Sequence, residues 1–324
     1  MCTAVAFATK DHYFGRNLDL EYSYNEKITI TPRRFPFMFR YEKSIFNHYA
    51  IIGMAHISDN YPLYYDAINE EGLAMAGLNF PANAIYNNYK ENCSNIAPFE
   101  LIPWILSQCK TIDEAKRLLE RSSLIKENFS PTLQVTPLHF MITDKDKSIT
   151  VEPIGDGLKV YDNPVGVLTN NPPFDYQMTY LSNFSGVSPY PAINRICDNV
   201  TLPDYSRGLG GIGLPGDLSS SSRFVRAVFT KTNSVSPETE KDSVNQFFHI
   251  LSSVEQQRGA VRLEDNINVI TVYSSCCNLE KGIYYVKTYN NHRISAVDIH
   301  NVNLEDSELS TFSPIYEEDV LFLN

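Results

Sequence analysis

Hydrophobic positions in the first twenty residues fall in two runs separated by a polar tripeptide. Val5, Phe7 and the neighbouring alanines read as a buried strand, Lys10-Asp11-His12 as a turn, and 13–20 as a strand returning alongside. Residues 27–32 alternate and stop at proline, and 48–56 form a dense apolar run suited to a buried strand. Strand, turn and strand are predicted over 66–80 around Asn69-Glu70-Glu71-Gly72, with 58–65 before them as an aromatic-rich loop. The period then becomes helical. Helices are expected at 97–108, bent by Pro103, and at 111–124, opened by a capping box of Thr111 and Glu114. A polar, proline-broken loop at 127–137 leads to strands at 139–143, 149–153 and 158–162, joined by Lys-Asp-Lys and Gly-Asp-Gly turns, then to a short strand at 166–169.

Further on, a helix is predicted at 175–181, a long loop at 184–217, helices at 223–231 and 242–256, and strands at 268–273, 282–288 and 294–299. The glycine run at 208–217 lacks the Lys-Ser/Thr of a phosphate-binding loop and follows no strand. Strands and helices come in blocks without regular alternation, which favours α+β layers over a doubly wound parallel sheet. At 324 residues the chain can bury a large core, as two domains or as one layered unit.

Charge narrows the function. With 27 Lys and Arg against 38 Asp and Glu, the chain carries −11, which argues against a nucleic-acid partner. The 20 tyrosines and 18 phenylalanines could line an apolar pocket, though most belong in a core. No targeting segment and no run of the ~18 apolar residues that span a bilayer is apparent, so a soluble, cytoplasmic protein is expected. The six cysteines are too sparse for a disulfide framework, and Cys276-Cys277 should point to opposite faces of a strand. Seven scattered histidines show no metal-binding spacing, so a metal site is not expected.

Candidate chemistry lies at the start. Residue 2 is small enough for an aminopeptidase to remove Met1, which would leave Cys2 with a thiol and a free α-amine. An α-amine titrates at about 7.7–8.0, so nucleophile and general base would share one residue. The predicted hairpin brings Arg16 and Asp19 back beside Cys2, where arginine favours a thiolate and a carboxylate can hold an ammonium. Asn79 and Asn171, each at the end of a strand, suit an oxyanion by type, but equally suit turn asparagines bonding their own backbone. Arg223 heads a helix, where a salt bridge is the plain alternative.

The pattern Cys2-Thr3…Phe7…Gly15-Arg16-Asn17…Asp19 resembles the choloylglycine hydrolase family, the bile salt hydrolases and penicillin V acylases among N-terminal-nucleophile hydrolases. The likeness continues at Gly77-Leu78-Asn79-Phe80-Pro81, at Leu168-Thr169-Asn170-Asn171-Pro172 and from Leu214 through Arg223-Phe224, essentially end to end. It implies one domain over 1–324, a four-layer αββα sandwich of two antiparallel sheets, a homotetramer, and no metal or cofactor. It further implies Cys2 as nucleophile, its amine as base, Arg16 and Asp19 positioning it, Asn79 and Asn171 as the oxyanion site, and Arg223 completing the cluster. The text around Asn79 resembles the bile salt branch, whose substrates join a steroid acid to glycine or taurine. Leu20, Tyr22, Tyr24, Tyr61, Leu63, Tyr65, Phe129, Leu133 and Leu138 are then candidate groove liners, each as readily ordinary packing. Penicillin V acylase, a non-enzymatic sterol binder and a redox-sensing Cys2 are the alternatives.

Overall fold

The computed structural model describes residues 1–155 and 157–324; the Gly-Asp-Gly turn expected from the sequence includes Asp156, which lies outside the described residues. Strands β1 (Cys2–Ala8), β2 (His12–Leu20), β3 (Lys27–Thr31), β4 (Ile51–Ser58), β5 (Tyr61–Asn69) and β6 (Ala74–Asn79) come first. Helices α1 (Leu101–Leu106) and α2 (Ile112–Leu119) follow, framed by the short strands β7 (Ser94–Ile96) and β8 (Ser122–Leu124). Strands β9 (Leu138–Thr143), β10 (Ser148–Ile154), β11 (Gly157–Asp162) and β12 (Val167–Leu168) lead to α3 (Phe174–Leu181), α4 (Ser220–Asn233) and α5 (Glu240–Ser252). The chain returns to β13 (Ile270–Asn278), β14 (Ile283–Thr288), β15 (Asn291–Asp298) and β16 (Ser310–Phe312).

Among the described residues, the sheets are a six-stranded one, β12-β1-β2-β13-β14-β15, and an eight-stranded one, β11-β10-β9-β6-β5-β4-β3-β16, with β7-β8 as a parallel pair. Neighbours within both large sheets are antiparallel. Period-2 patterning gives the eight-stranded sheet two buried faces. Ile28, Ile30, Ile52, Met54, Ile68, Ala74, Ala76, Leu78 and Met141 share a core with the six-stranded sheet and with Phe224 of α4 and Phe247 of α5. Leu73, Met75, Phe140 and Ile142 pack instead with Leu101, Ile105, Ile112 and Leu119 of α1 and α2. Helices, two sheets and helices stack in four layers, the αββα sandwich that was expected.

Local differences have local causes. The stretch 58–65 is not a loop: Asp59-Asn60, both with positive φ, make a two-residue turn, and β5 begins at Tyr61. Pro103 lies in the first turn of α1, where its missing N–H breaks no helical bond, so the helix starts there rather than bending. Thr111 caps α2 as predicted, its Oγ1 accepting from Glu114 N at 3.3 Å, but Glu114 reaches past it to Lys110 N at 2.7 Å. Residues 122–124, predicted as the end of that helix, pair as β8 with β7. Cys276 and Cys277 sit side by side in β13 and are both buried, because β13 is an interior strand of a sheet covered on both faces.

Candidate active site

Pairing of β1 with β2 sets Cys2 opposite Leu18 and Ala4 opposite Arg16, at the open end of the hairpin. On the other side β1 pairs with β12, Ala4 with Leu168 and Val5 with Val167. Continuing that register places Asn170 opposite Cys2 and Asn171 one residue past it. The side chains obey: Asn170 Oδ1 accepts from Cys2 N at 2.7 Å and from Arg223 Nη2 at 2.7 Å. Asn171 instead donates to Pro81 O at 2.6 Å at the rim. The asparagine side chain bonded to Cys2 is therefore Asn170, while Asn171, the residue expected there from the sequence, reaches Pro81 instead.

Arg223 projects from the first turns of α4 and is fully buried. Its Nη1 donates to Cys2 O and Thr3 Oγ1, both at 2.5 Å, its Nε to Leu218 O at 3.0 Å, and it lies 3.8 Å from Asp19 Oδ2. Burial lowers its pKa, opposed by Asp19 and Cys2. Asp19 is buried as well, with Oδ1 accepting from Thr271 Oγ1 at 2.6 Å and Oδ2 without a partner. Burial raises its pKa against the pull of Arg223, the N-terminal amine, Thr271 and Arg16. Met1 is in place, its amine donating to Asp19 O at 2.5 Å.

Arg16 crosses between the sheets, its Nη1 donating to Tyr65 O at 3.0 Å and Gly77 O at 2.5 Å, while Nη2 is buried without a partner. Burial alone would lower its pKa; Cys2, Tyr273, Asp66 and Asp19 together raise it. Behind it Asp66 accepts from Tyr273 at 2.5 Å, Tyr284 at 2.7 Å and Ser275 at 2.9 Å. Sequence reasoning misses Asp66 and Thr271; no local pattern marks them, since long-range strand pairing alone brings them here.

Asn79 ends β6 opposite Leu138, and Phe80 N bonds Pro137 O at 2.8 Å. Antiparallel alternation therefore turns the N–H and C=O of Asn79 away from β9. The carbonyl accepts from Asn170 Nδ2 at 2.7 Å, so the Asn79 N–H points toward the same gap.

The groove candidates divide. Leu20 follows Asp19 and Leu138 lies beside Asn79, both half-buried. Tyr22 and Tyr24 are exposed, ring to ring at 5.0 Å. Tyr61 packs with Phe129 at 5.9 Å and Phe99 at 6.2 Å, and Leu133 closes the turn through its carbonyl to Phe129 N at 3.1 Å. Leu63 is half-buried on β5, and Tyr65 turns into the core between the sheets at a register shift. Among the described residues no His, Cys, Asp and Glu cluster suits a metal ion, and no helix is long and apolar enough to cross a membrane.

A buried thiol among two arginines, an aspartate and two asparagines suits attack on an amide, and the similarities agree. The family model "Linear amide C-N hydrolases, choloylglycine hydrolase family" matches residues 2–312. The chain is 51% identical over 312 residues, 96% of each chain, to a bile salt hydrolase/transferase of Lactiplantibacillus plantarum. It is 38% identical over 319 residues, again 96% of each, to a bile salt hydrolase/transferase of Clostridium perfringens. A crystal structure of a variant of the conjugated bile acid hydrolase from Clostridium perfringens superposes over all of both chains with a TM-score of 0.92 at 36% identity. Penicillin V acylase from Agrobacterium tumefaciens shares the fold, with a TM-score of 0.75 at 19% identity over 98% of this chain and 95% of its own. With the family model matching residues 2–312 and relatives similar over nearly the whole chain, the chain belongs to the choloylglycine hydrolase family and is a linear-amide hydrolase.

Proposed function

We propose that this protein hydrolyses conjugated bile salts, with Cys2 as nucleophile once Met1 is removed. The observation that carries the mechanism is the convergence of Asn170 Oδ1 and Arg223 on the Cys2 backbone. After processing, the Cys2 nitrogen becomes an amine held by Asn170, and the Oδ2 of Asp19, ion-paired with Arg223 at 3.8 Å but free of hydrogen bonds, is proposed as its acceptor when protonated. The thiol passes its proton to that amine, and sulfur attacks the amide carbonyl. Asn170 Nδ2 and the Asn79 N–H are the donors offered to the oxyanion. The amine returns its proton to the departing glycine or taurine nitrogen, and water then cleaves the thioester. Relatives named hydrolase/transferase fit a thioester open to amines as well as to water.

The steroid half of the substrate is proposed to lie over Leu20 and Leu138, which flank Asp19 and Asn79, and against the exposed Tyr22 and Tyr24; Tyr65, turned into the core, is left out of that surface. Discrimination from penicillin V must come from this acyl side, because both substrates offer the same amide to the thiol. Burial contributes ~25 cal/mol per Å², so about 60 Å² of extra apolar contact suffices for a tenfold preference, roughly 1.4 kcal/mol. A cytoplasmic homotetramer of single-domain subunits is proposed with it. All six cysteines are free, which suits a reducing compartment.

Purified protein lacking Met1, by mass, should release glycine and taurine from bile salt conjugates with kcat/KM at least tenfold above that for penicillin V. A ratio near one or inverted moves the protein to the acylase branch. Full activity from protein that keeps Met1 quantitatively would sink the amine as base.

A further inference from the structure

The mechanism above leaves a fully buried ionisable pair unused, His139 of β9 and Glu152 of β10. We infer that this pair is a strut setting the gap between Asn79 and Asn170, and so the geometry of the oxyanion site. The inference rests on the reading of those asparagines as oxyanion donors. The His139 ring stacks on Phe80, the neighbour of Asn79, at 4.2 Å and 5° between planes. Its Nε2 lies 2.8 Å from the carbonyl of Thr169, the neighbour of Asn170. One ring thus touches the residue beside each asparagine. Its Nδ1 lies 3.0 Å from Glu152 Oε1, which also accepts from Phe174 N at 3.0 Å, where α3 begins after Asn170-Asn171-Pro172-Pro173.

The hydrogen-bond balance makes the pair testable. Both ring nitrogens face oxygens, so ring and carboxyl together must hold two protons for neither contact to repel. Glu152 Oε2 is buried without a partner. Packing alone does not explain a buried polar pair that apolar residues could replace at little cost. A support for two facing donors explains its position, because oxyanion stabilisation depends on donors fixed before charge develops. His139 and Glu152 touch no reacting atom and act as positioning residues.

Glu152→Gln is nearly isosteric and removes the carboxylate that pairs with the ring. With a neutral ring its carbonyl can accept from Phe174 N and His139 Nδ1 only if Nε2 faces Thr169 O without a proton, and keeping all three bonds requires a buried imidazolium with no counter-charge. In the double variant His139→Gln with Glu152→Gln, the new amide on β9 can donate to Thr169 O and accept from the new amide on β10, whose carbonyl takes Phe174 N. E152Q should lower kcat for bile salt conjugates at least tenfold with KM within threefold, and should leave the alkylation rate of Cys2, read on its peptide by mass spectrometry, within twofold. The double variant should recover at least half of the lost logarithm of kcat. An E152Q with kcat within twofold of wild type, one that fails to fold, or one losing kcat, KM and alkylation together would overturn the inference, as would a double variant without recovery. Asn170→Ala run in parallel separates the two readings: if it keeps full kcat the oxyanion assignment itself is wrong, and if it loses kcat while E152Q does not, only the strut is.

Discussion

At the scale of residues, two adjacent asparagines receive different work. Asn170 is held by five partners: Cys2 N, Arg223, Asn79 O accepting from its Nδ2 at 2.7 Å, Ser220 Oγ accepting from its N–H at 2.8 Å, and Gln177 Nε2 donating to its carbonyl at 2.6 Å. Asn171 has one side-chain bond, to Pro81 O. Asn170→Ala should therefore lower kcat by ~10²–10³, the usual loss on removing an oxyanion donor, while Asn171→Ala stays within about threefold. Steady-state hydrolysis of a glycine conjugate checks both, and equal losses would return the role to Asn171. The motif Leu-Thr-Asn-Asn-Pro cannot tell the two apart, because what separates them is the pairing of β12 with β1, which joins Asn170 to Cys2 across 168 positions of chain. Cys2, Arg16, Asp19 and Arg223 are legible in the sequence because each falls in a motif whose neighbours are fixed along the chain. Asp66 and Thr271 are not, since each meets its partner only across a strand ladder.

At the scale of elements, alternation locates most strands and fails where a strand is short or aromatic. Tyr61-Pro62-Leu63-Tyr64-Tyr65 reads as a loop because it carries a proline and apolar side chains on both faces; in the structure its burial alternates and its pairing with β4 is regular up to a register shift at Tyr65. The Gly15-Arg16 step of β2 shows a constraint with a clear test. A Cβ on Gly15 would meet Ser275 O at 1.9 Å, so the approach of β13 that brings Ser275 to Asp66 needs glycine there. Gly15→Ala should cost roughly 3 kcal/mol, the upper range of overpacking, read as a lowered denaturant midpoint; an unchanged midpoint would mean β13 yields easily. Before α1, Glu100 accepts from Arg40 N at 2.8 Å and Ala97 N at 3.1 Å, yet burial pushes its pKa up from 4.5 to about 7. The unfolded chain loses this proton near 4.5 and the folded one near 7, so the unfolded state binds fewer protons between those values and stability falls as pH rises through them. Glu100→Gln removes the titrating site, so this variant should lose less thermal stability than wild type between about pH 5 and pH 8. Parallel melting curves for the two proteins would count against a raised Glu100.

At the scale of the whole molecule, the surface argues for assembly. Tyr190, Ile193, Ile196, Leu202, Tyr205 and Ile212 lie exposed in the segment between α3 and α4, and Leu321, Phe322 and Leu323 lie exposed at the C-terminal end. Clusters of large apolar side chains in water mark contact surfaces more often than free ones. Copies of this chain each carry −11, so their long-range interaction is repulsive and attraction must come from apolar burial. This fixes the sign of a salt effect. Added salt screens the repulsion, with the Debye length falling to about 8 Å at 0.15 M, and leaves apolar contact intact. Sedimentation of wild-type protein should show a tetramer whose dissociation constant falls between low and moderate salt. An assembly loosened by salt would be held by ion pairs instead. Ile196→Asp with Tyr205→Asp adds two charges per subunit to the exposed segment and should shift the population to dimers or monomers. The segment meets the site around Cys2 at its far end, where Leu218 O accepts from Arg223 Nε, while Ile196 and Tyr205 are exposed, so this variant should keep wild-type Cys2 alkylation. A double variant that stays tetrameric would move the contact to another face, the C-terminal leucines and Phe322 first.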